Sequence, residues 1–178
     1  MAQERTGVAT LKGGPLTLIG PELNVGDTAP DFTVRKGLGD VQGSEYNGKV
    51  RVISVVPSLD TPVCDAQTRR FNEEASALGD DAVVLTISMD LPFAVNRFCE
   101  TAGIDKLEVL SDYKDASFGT AYGVLIKEHR LDMRAIFVVG RDNKIAYKEI
   151  VGEMTEPPNY DAALEAARAA TGGAAASA

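Results

Sequence analysis

Apolar positions along the chain fall into two kinds of pattern, short β-branched runs and longer stretches at helical spacing. Residues 8–11 and 16–19 are brief apolar segments flanking Lys12-Gly13-Gly14-Pro15, which predicts a β-hairpin. Residues 21–30 read as loop, and Ala29-Pro30-Asp31-Phe32 runs into an extended Thr33-Val34. Asn47-Gly48-Lys49 turns the chain into Val50, Val52, Ile53, Val55 and Val56, a strand halted at Pro57. Val63, Ala66, Phe71, Ala75 and Leu78 then follow the spacing of one helical face, with Gly79 as the stop. The continuous apolar run at 82–88 predicts a buried parallel strand. Leu91, Ala94, Val95 and Phe98 share a second helical face, Cys99 follows, and Gly103 closes it. A short strand at 107–110, one or two helical turns at 115–122 and a charged loop at 126–132 come next. Segments 134–139 and 145–151 pair across Gly140-Arg141-Asp142-Asn143, and Pro157 and Pro158 break the chain. A last helix at 160–169 turns Leu164 and Ala167 inward.

This order predicts one α/β domain with a central mixed sheet flanked by helices, built from parallel β-α-β units and a closing antiparallel hairpin. Residues 1–7 and about 170–178 are expected to be flexible tails, the latter low in complexity. A chain of 178 residues can bury roughly 70% of its unfolded surface as a single domain. The net charge of −8 argues against nucleic acid and anionic membrane as partners. No apolar run is long enough to span a bilayer, and Met1-Ala2-Gln3-Glu4-Arg5 is not the start of a secretory signal, so a cytoplasmic location is expected.

The two cysteines and one histidine then become the candidates for chemistry. Cys64 and Cys99 are too far apart in sequence for a C-x-x-C relay, and with His129 alone they make a poor zinc set. Cys64 is the more suggestive. Thr61 is a good N-cap type and Pro62 suits the first helical position, which places Cys64 about third in its helix. Free amides and the positive end of the helix dipole would surround the sulfur. An ordinary thiol near pKa 8.5 is only about 3% thiolate at pH 7, and reaching about 90% takes about 3.4 kcal/mol of preferential stabilisation. A helix start rarely supplies that much, so a second donor or cation is required. Each residue also has a plainer role. Cysteine is often a small buried hydrophobe, Thr61 could be a cap alone, Pro57 a strand terminator, and Arg134 a solvated strand end. Arg69 and Arg70 are other cations on the Cys64 helix.

The segment Pro57-Ser58-Leu59-Asp60-Thr61-Pro62-Val63-Cys64 resembles the P-x-x-x-T-x-x-C pattern of the peroxiredoxins. The strings D-T-P-V-C-D and D-L-P-F-A-V-N-R-F-C are similar to the thiol peroxidase subfamily, the atypical two-cysteine peroxiredoxins, with a weaker echo in A-P-D-F. The likeness covers about residues 7–169. It implies a thioredoxin-like fold with an added N-terminal hairpin. It also implies that Cys64 is the peroxide-reactive nucleophile and Cys99 the thiol that resolves its sulfenic acid as an intrachain disulfide. Thr61 would hydrogen-bond the thiolate and the peroxide, Pro57 would shield the sulfur, and Arg134, through R-A-I-F-V-V, would be the active-site arginine. Thioredoxin as reductant, a homodimer, and hydrogen peroxide and alkyl hydroperoxides as substrates are further implications, with no cofactor or metal. Leu59, Phe93 and Phe98 could form an apolar rim for alkyl substrates. Two other functions compete: a redox sensor or chaperone-like module without turnover, and a cysteine hydrolase using His129 as base.

Overall fold

The computed structural model describes residues 3–172. Its centre is a seven-stranded sheet in the order β11-β10-β5-β6-β7-β3-β4. The strands are β3 (Thr33–Lys36), β4 (Gly39–Gln42), β5 (Val50–Val55), β6 (Ala82–Ser88), β7 (Glu108–Ser111), β10 (Ala135–Val139) and β11 (Ile145–Ile150). Strands β5, β6 and β7 are parallel, whereas β10 runs antiparallel to both β5 and β11. This is the expected mixed sheet. The continuous apolar runs of β5, β6 and β10 follow from burial on both sides.

One face of that sheet, through Val50, Val52, Val84, Ile136 and Val138, packs on helix α1 (Pro62–Ala75) and helix α4 (Tyr160–Ala170). Leu164 and Ala167 of α4 point inward as predicted. The other face, through Ile53, Val55, Leu85, Ile87 and Phe137, packs on short helix α3 (Ser117–Ala121) and a second, four-stranded sheet. That small sheet has the order β1-β2-β8-β9, with β1 (Glu4–Leu11), β2 (Gly14–Ile19), β8 (Leu125–Ile126) and β9 (Leu131–Asp132). Helix α2 (Pro92–Ala102) follows β6 and ends at Gly103, whose left-handed φ of 68° closes it.

Three local expectations change. The N-terminal segment is not loose from residue 4 onward. Arg5 Nη1 donates to the carbonyls of Gly20 and Gly123, both at 3.0 Å, and so ties β1 to the α3–β8 turn. The charged segment 126–132 is a tight hairpin, because β8 pairs back on β2 and buries Leu125 and Ile126 while the turn keeps its charges in solvent. The N-terminal hairpin turns on two residues, Lys12 (φ 49°) and Gly13 (φ 82°), which shortens the predicted four-residue turn. The expected C-terminal tail lies outside the described residues beyond Gly172.

Candidate active site

Strand β5 delivers the chain to a buried Pro57, and the loop through Thr61 leads into α1. Pro62 occupies the first helical position, so Cys64 is third. The first helical bond runs from the Asp65 amide to the Thr61 carbonyl, 2.9 Å, leaving the Val63 and Cys64 amides outside the helical ladder. The buried stripe of α1 is Cys64, Gln67, Thr68 and Phe71. It is rotated from the face that Val63 and Ala66 suggested, because the helix turns three polar-capable side chains, not its small apolar ones, toward the sheet.

Cys64 is fully buried, and Arg134 lies over it. Arg134 directly precedes β10 and is 2% exposed. Its guanidinium fans out to three partners. Nη2 is 3.2 Å from Cys64 Sγ, Nη1 donates to Gln67 Oε1 at 2.9 Å, and Nε donates to the Met154 carbonyl at 3.0 Å. Gln67 is itself held by Ser54 on β5, to whose Oγ its Nε2 donates at 2.7 Å. Among the described residues no carboxylate pairs with Arg134. Met154 and Gln67 offer only neutral oxygens. The remaining group on the guanidinium is the Cys64 sulfur.

The other candidates separate. Thr61 is the N-cap residue in backbone geometry, but its hydroxyl donates to the Ser58 carbonyl at 3.1 Å and makes no bond to a helix amide. It therefore does not bond to Cys64 in this arrangement. Arg69 is paired with Asp65, and Arg70 binds Asp161 at 3.2 Å while lying over the Tyr160 ring, so both are occupied away from the sulfur. His129 is exposed in the β8–β9 turn and is no hydrogen-bond partner of Cys64, which leaves the hydrolase reading without its base.

Cys99, near the end of α2, is free like Cys64 and half-buried. Both belong to one apolar cluster with Val56, Leu59, Val95, Ile104 and Val109. Burial, and then the neighbouring Glu100 carboxylate, push the Cys99 thiol up. One sulfur thus lies beneath a guanidinium, whereas burial and a carboxylate disfavour ionisation of the other. The predicted face of α2 also divides. Val95 enters the cluster and Phe98 packs at its edge, whereas Leu91 and Ala94, together with Phe98 and the neighbouring Phe93, line an open groove of about 1010 Å³ between α1 and α2. Leu59 lines it as well, although it is itself buried in the cluster that holds Cys64.

Two polar residues were missed by hydrophobic pattern. Gln67 was legible as a polar residue three positions after Cys64, on the same helical face. Asp90 accepts bonds from Ser58 Oγ (2.9 Å), the Leu59 amide (2.7 Å) and Ser88 Oγ (2.8 Å). Among the described residues no group of three or more His, Cys, Asp or Glu could hold a metal.

Residues 24–164 match the Redoxin family. The chain belongs to that family. A thiol peroxidase of Bacillus subtilis (strain 168) is 57% identical over 161 residues, covering 90% of this chain and 96% of the relative. A thiol peroxidase of Staphylococcus aureus (strain MRSA252) is 56% identical over 158 residues, covering 88% and 95%. A peroxiredoxin-like protein from Aquifex aeolicus superimposes with a TM-score of 0.85 at 42% identity, over 93% of this chain and 96% of that one. A thiol peroxidase from Chromobacterium violaceum, 20% identical with a TM-score of 0.78 over 88% and 93%, shares the fold. This Redoxin-family chain is a peroxiredoxin-type peroxidase on a thioredoxin-like fold.

Proposed function

We propose that this peroxidase reduces hydrogen peroxide and organic hydroperoxides at Cys64, resolves the product with Cys99 and is recycled by thioredoxin. The observation that carries the reading is the buried Arg134 guanidinium 3.2 Å from the Cys64 sulfur, with no carboxylate paired to it among the described residues. The thiolate attacks one oxygen of the peroxide. A sulfur–oxygen bond forms, the oxygen–oxygen bond breaks, and the electron pair departs on the second oxygen, which takes a proton to leave as water or alcohol. Arg134 and the open amides at the start of α1 stabilise the charge on that leaving oxygen. No proton-shuttling histidine is needed.

Cys64 is left as a sulfenic acid. The Cys99 sulfur attacks it, the disulfide forms, and the hydroxyl of the sulfenic acid leaves with the Cys99 proton as water. This bond closes a loop of about 36 residues, and in the chain-entropy model constrains the unfolded chain by roughly 4 kcal/mol. Both cysteines lie within intact helical turns here, so bridging them calls for local unwinding where their Cα atoms stand beyond about 7 Å. An external dithiol then takes the disulfide's place as oxidised partner, in a compartment that keeps thiols reduced, which suits the cytoplasm. Thr61 reaches the peroxide once its hydroxyl leaves the Ser58 carbonyl, and Pro57 shields the sulfur from water. Leu91, Phe93 and Phe98 give alkyl hydroperoxides an apolar approach. A homodimer through surface near this site completes the reading.

Intact mass after one equivalent of peroxide tests it. Loss of two hydrogens is expected in the native protein, and a dimedone-trapped sulfenic acid in Cys99→Ser. Oxidation that spares Cys64 would overturn the reading, and oxidation that stops at a stable sulfenic acid with Cys99 present would leave a sensor without turnover.

A further inference from the structure

Asp90 stands between the two segments that carry the cysteines. It precedes α2, which bears Cys99, yet its side chain serves the loop in front of α1, which bears Cys64. One carboxylate oxygen accepts from Ser58 Oγ at 2.9 Å. The other accepts from the Leu59 amide at 2.7 Å and from Ser88 Oγ at 2.8 Å. Its own carbonyl accepts from Ser111 Oγ, and its amide donates to Ser88 Oγ at 3.2 Å, so the residue is fastened to the ends of β6 and β7. Ser58 in turn accepts at Oγ from the Asp60 amide at 3.2 Å and at its carbonyl from Thr61 Oγ1 at 3.1 Å. Apart from the Thr61 carbonyl, which accepts from the Asp65 amide of α1, the polar tethers of the 57–61 loop among the described residues lead to Asp90 or to Ser58, which Asp90 holds.

The loop so held is what covers the sulfur. Leu59 is 4% exposed and packs in the same cluster as Cys64, whose side chain has no exposure at all. The groove beyond is lined by Leu59, Thr61 and Asp90 but not by Cys64. Cys64 lies in the first turn of α1 and Cys99 in α2, and Asp90 ties the lead-ins of these two helices to each other.

We infer that Asp90 is a positioning residue that latches the 57–61 loop over Cys64, and that its release gates disulfide formation with Cys99. The inference rests on the cysteine roles proposed above. The gated step is the one already balanced, in which the Cys99 sulfur displaces the sulfenic hydroxyl as water. Bonds to a charged carboxylate are strong enough that losing them moves a closed–open equilibrium by tenfold or more.

The test compares Asp90→Ala with Asp90→Asn. Asparagine can still accept from the Leu59 amide and Ser88 and can donate to Ser58, so it is the conservative rescue. In Asp90→Ala the rate of disulfide formation after a peroxide pulse, followed by acid quench and intact mass, should rise about tenfold. Hydrogen exchange at the Leu59 amide in the reduced protein should rise by a similar factor. Sulfinic acid formed under excess peroxide should fall, because a sulfenic acid resolved sooner is exposed for less time. Asp90→Asn should stay within about twofold of the native protein on all three measures, since its bonds are largely kept. Ser58→Ala, which removes one bond, should give about a threefold rise. Unchanged Leu59 exchange and unchanged disulfide formation in Asp90→Ala would overturn the latch, as would Asp90→Asn behaving like the alanine variant. Leu59 exchange needs no peroxide, so it decides the latch even if the proposed sulfenic acid never forms.

Discussion

A buried arginine whose other partners are a backbone carbonyl and a side-chain amide leaves its charge to be met by the group at its third edge, and here that group is a thiol. The geometry makes Arg134 hard to replace. Lysine would bring a single charge without the planar fork that reaches Met154, Gln67 and Cys64 together. Arg134→Ala is therefore expected to slow peroxide reduction by about 10²-fold or more, as loss of one oxyanion donor does elsewhere, with Arg134→Lys between it and the native enzyme. Stopped-flow consumption of peroxide in a Cys99→Ser background isolates that step, and rates within twofold of each other would remove Arg134 from the chemistry. Gln67→Ala leaves both Arg134 Nη1 and Ser54 Oγ without their buried partner. It should cost about 1–3 kcal/mol of stability by chemical denaturation and also slow alkylation of Cys64 by iodoacetamide at pH 7. A stability loss with unchanged alkylation would make Gln67 a packing residue only. At Cys99 the raised thiol implies that disulfide formation quickens as pH climbs, because only the thiolate attacks. Glu100→Gln removes one of the two causes and should shift that pH profile of resolution to lower pH, measured by quench and mass.

At the scale of elements, sequence served best where a single physical demand fixed the answer. The Thr61-Pro62 start of α1 and the third-position cysteine were readable because a helix start accepts few residue types. Strands β5, β6 and β10 were readable because burial on both faces leaves an unbroken apolar run. What was hidden depended on partners distant in the chain. Strands β8 and β9 are two residues each and exist only because β2 lies alongside. Strand β4 pairs with β3 at the sheet edge and carries little apolar signal of its own. The α1 stripe was misjudged because Gln67 and Thr68 are polar by type but face inward, where Arg134, Ser54 and the Cys64 carbonyl satisfy them. That a polar stripe is buried is itself the mark of a working site, but only the fold reveals the burial. Asp90 needed three residues from two other segments before its role appeared. The N-terminal hairpin offers a test at this scale. Its two-residue turn requires positive φ at Gly13, so Gly13→Val should lower stability by about 1–2 kcal/mol even though a Cβ there would meet open space. An unchanged denaturation midpoint would mean that the turn readily rearranges.

The molecule as a whole is two sheets joined at their inner faces, and the joint contains a feature that the chemistry at Cys64 does not require. Asp132 ends β9 of the small sheet, and Asp112 follows β7 of the central one. Both are buried, and a Cβ on Gly119 would run into the Asp132 carboxyl, so there is little room for water between them. The Phe118 and Gly119 amides donate to Asp112 at 2.9 and 2.8 Å, whereas among the described residues neither Asp132 oxygen has a donor of its own. Two carboxyls so placed are eased by sharing a proton. Burial first, and then the Asp112 charge, raise Asp132 well above the usual carboxylate range, with Arg130 opposing. Asp112 is raised chiefly by burial, opposed first by its contact with the Asp132 carboxyl and then by the two amides, with Asp115 adding to the rise. The folded protein therefore holds a proton that the unfolded chain gives up near pH 4. The pair's contribution to stability is complete below that pH and is lost as pH rises toward the folded value, since the native state binds more protons throughout that window. Asp132→Asn supplies a permanent donor to Asp112 and removes the need for the proton. It should change stability little near pH 4 and raise it by about 1–3 kcal/mol at pH 8, read from denaturation midpoints across that range. Equal midpoints for the two proteins at every pH would show that the joint between the sheets holds no shared proton.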